Sequence, residues 1–151
     1  MPIKSFRGKI ADATVDTIPL STNNGSTGYK ITKFTLMPAD TDADQQITVQ
    51  IFTIPQTGTP SADIDFSDNT LIAAGIYNQK GDARTYPDDK QVVFDNMIFN
   101  QDIYVTCQSL LGNAINYYIE LEQISLSLDE NTVATLKDIR NIASQWANNI
   151  T

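Results

Sequence analysis

The chain contains no histidine. Histidine is the usual general base near neutral pH and the commonest transition-metal ligand. Its absence excludes serine–histidine–aspartate triads, cysteine–histidine pairs and histidine-ligated zinc within these 151 residues. Cysteine occurs once, at Cys107, so neither an internal disulfide nor a CxxC motif can form. Cys107 lies in the alternating run from Asp102 to Leu110, which reads as a strand, and it is expected to be a buried small hydrophobe. No apolar run approaches the roughly 18 residues of a membrane span. The start, Met1-Pro2-Ile3-Lys4-Ser5-Phe6-Arg7, has basic residues with no apolar segment behind them, so no secretory signal is expected. Phosphate loops and glycine-rich nucleotide fingerprints are missing as well. Together these absences predict a non-enzymatic soluble protein without a cofactor, made in a cytoplasm.

What is present is charge, unevenly placed. Residues 1–36 carry Lys4, Arg7, Lys9, Lys30 and Lys33 against Asp12 and Asp16, a balance of +3. Residues 38–102 carry eleven aspartates against Lys80, Arg84 and Lys90, a balance of −8, equal to the net charge of the whole chain. An acidic middle repels polyanions, so nucleic acid is not an expected partner. It solvates one face of the protein, or it docks on a basic patch of a partner or a second copy.

Hydrophobic residues make up 41% of the chain, enough for one folded domain. Short apolar–polar alternations separated by turn clusters predict strands. Ile3–Ala11 and Thr14–Leu20 read as a first pair around Asp12. Ser21–Gly28 is turn chemistry, with Asn24-Gly25 supplying positive φ. In Tyr29–Leu36, Ile31 and Phe34 differ in parity, which predicts a bulge or register change. Gln46–Ile54 sets Ile47, Val49 and Ile51 on one face and Thr48, Gln50 and Phe52 on the other. Residues 55–63 read as an exposed loop. Further strands are expected at Thr70–Tyr77, Gln91–Phe94, Asp102–Leu110 and Asn116–Leu128. About eight strands at this spacing predict an antiparallel β-sandwich or jelly roll over residues 1–128.

The period changes after residue 128. Ser127 and Glu130 fit a capping box, with Asp129 as rival N-cap. Leu136, Ile139, Ala143, Trp146, Ala147 and Ile150 then form one narrow apolar stripe, which predicts an amphipathic helix over residues 129–151. It either packs on its own sheet or reaches a neighbouring subunit or a partner's groove. Lys4, Arg7 and Lys9, together with Leu136, Ile139 and Trp146, are the candidate partner-binding residues.

Asp40, Asp42 and Asp44 alternate as in calcium loops, but Gln45 and Ile51 stand where the EF-hand pattern wants glycine and glutamate. They are therefore weak metal candidates, and no metal is expected. Asp63, Asp65, Asp68, Asp82, Asp88 and Asp89 lie in loop-like segments where aspartate serves turns, and no spacing selects a catalytic pair. Tyrosines within strand patterns are explained by cross-strand packing before any sugar platform. Asn24-Gly25-Ser26 and Asn149-Ile150-Thr151 match the glycosylation acceptor pattern, read as chance without a signal peptide.

Several segments taken together carry a resemblance: Ile3–Asp12, Ile18–Tyr29, Val93–Asn96 with Phe99–Thr106, Asn116–Gln123 and Thr132–Arg140. The chain resembles small virion structural proteins of marine tailed bacteriophages. That resemblance implies a virion location and carries no catalytic residues. The expected function is capsid decoration or cement, as a homo-oligomer bound to the major capsid protein or another virion protein. The alternatives are a neck, tail or receptor-facing component, or a carbohydrate- or calcium-binding adhesion module.

Overall fold

The computed structural model describes residues 3–20, 27–79, 88–94 and 97–125. Among them run eight strands: β1 (Ile3–Ile10), β2 (Thr14–Ile18), β3 (Thr27–Pro38), β4 (Gln45–Phe52), β5 (Leu71–Gln79), β6 (Asp88–Val93), β7 (Ile103–Ser109) and β8 (Ile115–Ser125). They form two antiparallel sheets, a three-stranded one in the order β1-β8-β3 and a five-stranded one in the order β2-β7-β4-β5-β6. The protein is mainly β. The expected helix over 129–151, with its capping box and the residues Leu136, Ile139 and Trp146, lies outside the described residues.

Period-two alternation decides which side chains meet between the sheets. On β8, Ile115, Tyr117, Ile119 and Leu121 are buried while Asn116, Tyr118, Glu120 and Glu122 keep partial exposure. On β4, Ile47, Val49 and Ile51 are 1%, 0% and 0% exposed. Both sets belong to one apolar cluster, joined by Val105 and Cys107 of β7. Burying each such aliphatic side chain contributes about 1.5–3 kcal/mol. At Gly75 of β5 the opposite sheet leaves no room for a side chain, since a Cβ there would lie 2.8 Å from Leu36 Cδ1 and 3.1 Å from the Phe34 ring, both on β3.

The parity conflict at Ile31 and Phe34 is a register shift between Ile31 and Lys33 against β8. The irregularity turns Thr32 outward, where its hydroxyl donates to the Glu120 carbonyl at 3.2 Å.

One expectation is overturned. β1 and β2 are not paired, because β1 lies beside β8 in one sheet and β2 beside β7 in the other. The link Ala11–Ala13 crosses between the sheets instead of closing a hairpin. Asp12 Oδ1 accepts the Ser109 N–H at 2.7 Å, and the Ala13 N–H donates to the Cys107 carbonyl at 2.9 Å. These two bonds draw the link onto β7. They hold Ala13 at a φ of 59°, a left-handed conformation that costs a non-glycine residue about 1–2 kcal/mol.

Candidate interaction surface

The outer face of the three-stranded sheet follows from register. Ser5, Glu120 and Lys33 form one cross-strand row, Arg7, Tyr118 and Thr35 the next, and Lys9, Asn116 and Met37 the third. Arg7 and Lys9 are exposed, and Met37 is 63% exposed. With Thr35, Asn116 and Tyr118 they border an open groove of about 510 Å³. The Lys33 ammonium sits 5.8 Å from the centre of the Tyr118 ring, within cation–π range. The Tyr118 hydroxyl donates to Glu120 Oε1 at 2.7 Å, and that bond raises the phenol's pKa above its ordinary value. Arg7 and Lys9 lie at one end of this face, while towards the other Glu120 and Glu122 stand opposite Lys33 and Lys30 of β3.

The three basic residues of the first strand do not form one patch. Lys4 has the opposite parity, and its ammonium lies over the Tyr29 ring at 5.5 Å and 3.5 Å from the Tyr29 hydroxyl. Alternation along β1 brings Arg7 and Lys9 together and sends Lys4 elsewhere. What the sequence left hidden was their setting, because Met37, Asn116 and Tyr118 reach the groove from strands distant in the chain.

The floor of this sheet is pinned from beneath. Tyr117 points inward from β8, and its ring lies over Gly8, where a Cβ would meet the phenolic oxygen at 2.9 Å. Its hydroxyl donates to Asp16 Oδ2 on β2 at 3.1 Å, joining the two sheets. Burial first, then the Asp16 charge and hydrogen bond, push the Tyr117 pKa up to about 12. Glycine suits position 8 because a side chain there would collide with the phenol ring.

The five-stranded sheet presents a different outer side. Gln50, Ala74 and Thr106 are cross-strand neighbours on that side, and all are buried. The segment between β4 and β5 folds back over them, so the 55–63 stretch, expected as an exposed loop, is anchored at one end. The Gln50 amide donates to the Ser61 and Asp63 carbonyls at 3.1 and 3.0 Å, and Phe66 meets Phe94 edge-on at 5.1 Å. A small cleft of about 160 Å³ remains beside Asp63, Asp65 and Asp68. Two of these carboxylates serve turns. Asp65 Oδ1 accepts from the Ser67 N–H and hydroxyl at 2.9 and 2.5 Å, bonds that lower its pKa. Asp68 Oδ1 accepts from the Thr70 N–H and hydroxyl at 2.9 and 2.7 Å.

Asp40, Asp42 and Asp44 lie in the connection between β3 and β4, where Asp40 Oδ1 accepts the Asp42 N–H at 2.9 Å. Among the described residues, no group of three or more His, Cys, Asp or Glu side chains converges as a metal ion would require. Asp88 and Asp89, expected in a loop, instead open β6 and pair with Asn78 and Tyr77 of β5, while Asp82 and both glycosylation-like tripeptides lie outside the described residues. Cys107 is buried, and burial, with Asp12 and Asp16 nearby, pushes its thiol up to about 12, the reverse of the depression that activates a nucleophile. Among the described residues, no helix is long and apolar enough to cross a membrane. Comparison with family models, with curated proteins and with solved structures finds no match to this chain.

Proposed function

We propose that this chain is a non-enzymatic structural protein of a bacteriophage virion, acting as a capsid decoration or cement protein that binds the major-capsid lattice as an oligomer. In this reading the two sheets form a β-sandwich of the jelly-roll kind, and residues 129–151 add an amphipathic helix that contacts a neighbouring subunit. The observation that carries the reading is the asymmetry of the outer faces. The five-stranded sheet is partly covered by its own 53–70 segment, whereas the three-stranded sheet leaves Arg7, Lys9, Met37 and Tyr118 accessible. A tyrosine beside an arginine on an open sheet is the composition of an interface centre, and a cement protein works by burying such faces repeatedly over a lattice. The resemblance to phage virion proteins supplies the partner.

The test is co-sedimentation of the purified protein with capsids stripped of accessory proteins. Saturable binding and increased resistance of the particle to heat are expected, and both should weaken on replacing Arg7 and Lys9 by glutamate. Folded protein that stays in the supernatant at every capsid concentration sinks the proposal. Binding to isolated necks or tails instead would place it there.

A further inference from the structure

We infer that the groove on the three-stranded sheet is a self-recognition site, which receives the acidic 39–44 loop of a second copy of this chain. The inference deepens the oligomer in the proposed function and rests on that part of it. Three observations support it.

The first is charge complementarity. Arg7 and Lys9 flank the groove, and Asp40 and Asp42 are exposed on the loop. The net charge of −8 opposes association at long range. At about 0.1 M salt the screening length is about 10 Å, so contacts between the patches outweigh the distant repulsion.

The second is that the loop is shaped before it docks. The Gln79 amide, from the end of β5, donates to the Ala43 carbonyl at 3.1 Å and also to the Thr41 carbonyl. The Gln45 amide, from a residue only 3% exposed, donates to the Asp40 carbonyl. With the Asp42 N–H held by Asp40 Oδ1, three of the loop's carbonyls and one of its amides are committed within the fold. A braced loop gives up little conformational freedom on binding, which removes one of the main costs of association.

The third is placement. Met37 lines the groove in the row of Lys9 and Asn116, Pro38 ends β3 opposite Ile115, and the acidic loop begins at the next residue. Groove and loop are therefore neighbours at one end of the molecule. A twofold axis through that end brings each loop to the other copy's groove, so both contacts form at once and the assembly closes as a dimer.

The experiment is analytical ultracentrifugation of the full chain at about 0.1 M and about 1 M salt. A dimer is expected at the lower salt, with its Kd raised about tenfold or more at the higher. The Arg7→Glu/Lys9→Glu variant and the Asp40→Lys/Asp42→Lys variant should each be monomeric where the parent is dimeric. Mixed in equal amounts they should dimerise again, because each reversed surface then faces its complement. The Asp40→Asn/Asp42→Asn variant keeps the turn acceptor and should weaken the dimer without changing the circular dichroism spectrum. A parent protein that stays monomeric at both salts overturns the inference, as does a dimer indifferent to all three variants. Capsid binding without a dimer would remove this inference and leave the cement reading standing. A salt-sensitive dimer that ignores capsids would do the reverse.

Discussion

The outer faces of the two sheets begin from the same alternation and end in opposite states. On the five-stranded sheet, Gln50 and Thr106 point away from the core, yet each is only 3% exposed, because the 53–70 segment covers them and its carbonyls take up the Gln50 amide. On the three-stranded sheet, the equivalent outward positions carry Arg7, Lys9, Tyr118 and Met37 beneath an open groove. The difference shows that outward polarity does not by itself mean a solvated face. A buried glutamine with its amide donors satisfied marks a face already closed by its own chain. An outward tyrosine between cations, with an exposed methionine alongside, marks one still available.

Breaking the core that both faces share should have the largest effect. Ile119→Ala removes a fully buried side chain of the open sheet, and Val49→Ala one of the covered sheet. The isoleucine change should cost about 2–5 kcal/mol by chemical denaturation, and the valine change somewhat less because fewer carbons are lost. Gly8→Ala comes next. Its Cβ must displace Tyr117 and stretch the bond to Asp16, for about 1–3 kcal/mol. A stability change below about 0.5 kcal/mol would show that the phenol does not pin the open sheet.

Gln50→Ala sharpens the comparison most directly. It leaves the Ser61 and Asp63 carbonyls without their partner and should cost about 1–2 kcal/mol. Limited proteolysis should then cut within 53–70, while the same change on the open face, Asn116→Ala, should create no new cleavage site. If the parent is cut there equally fast, the segment is not a cover.

Alkaline pH should act on the inner groups. Tyr117 and Cys107 are both raised to about 12 from ordinary values of 10.0 and 9.0. A raised acid favours the neutral form in the folded state, so its stabilisation is complete below the unfolded pKa and is lost as pH climbs towards the folded one. The melting temperature should therefore fall between about pH 9 and 12, and Tyr117→Phe should make that fall shallower. The smallest effect belongs to Arg7→Ala and Lys9→Ala, which should change stability by less than about 0.5 kcal/mol while altering association.

Much of the strand pattern was legible in the chain. Ile47, Val49 and Ile51 on β4, and Tyr117, Ile119 and Leu121 on β8, announce their buried faces by alternation alone. The register shift beside Lys33 was visible as a parity conflict. β5 was less transparent, since Leu71, Ile72, Ala73, Ala74 and Gly75 are all buried and no alternation remains to read. The candidate groove was half legible: Arg7 and Lys9 share a parity, but nothing local brings Met37 and Tyr118 beside them. Lys4, grouped with them by proximity in sequence, is separated by the pleat and rests on Tyr29.

By itself, the sequence determined the mainly β character, the inward and outward positions of most strands, and the loop placement of Asp40, Asp42, Asp44, Asp63, Asp65 and Asp68. These are local properties, set by a two-residue period and by turn chemistry, which a short segment carries wherever it lies. Tertiary structure alone decided which strands pair and which outer face is covered. β1 and β2 adjoin in the chain yet join different sheets, because Asp12 and Ala13 bond to β7 and leave β1 to β8. Pairing is a competition among all strand edges for backbone partners and apolar cover. No window of neighbouring residues contains its outcome.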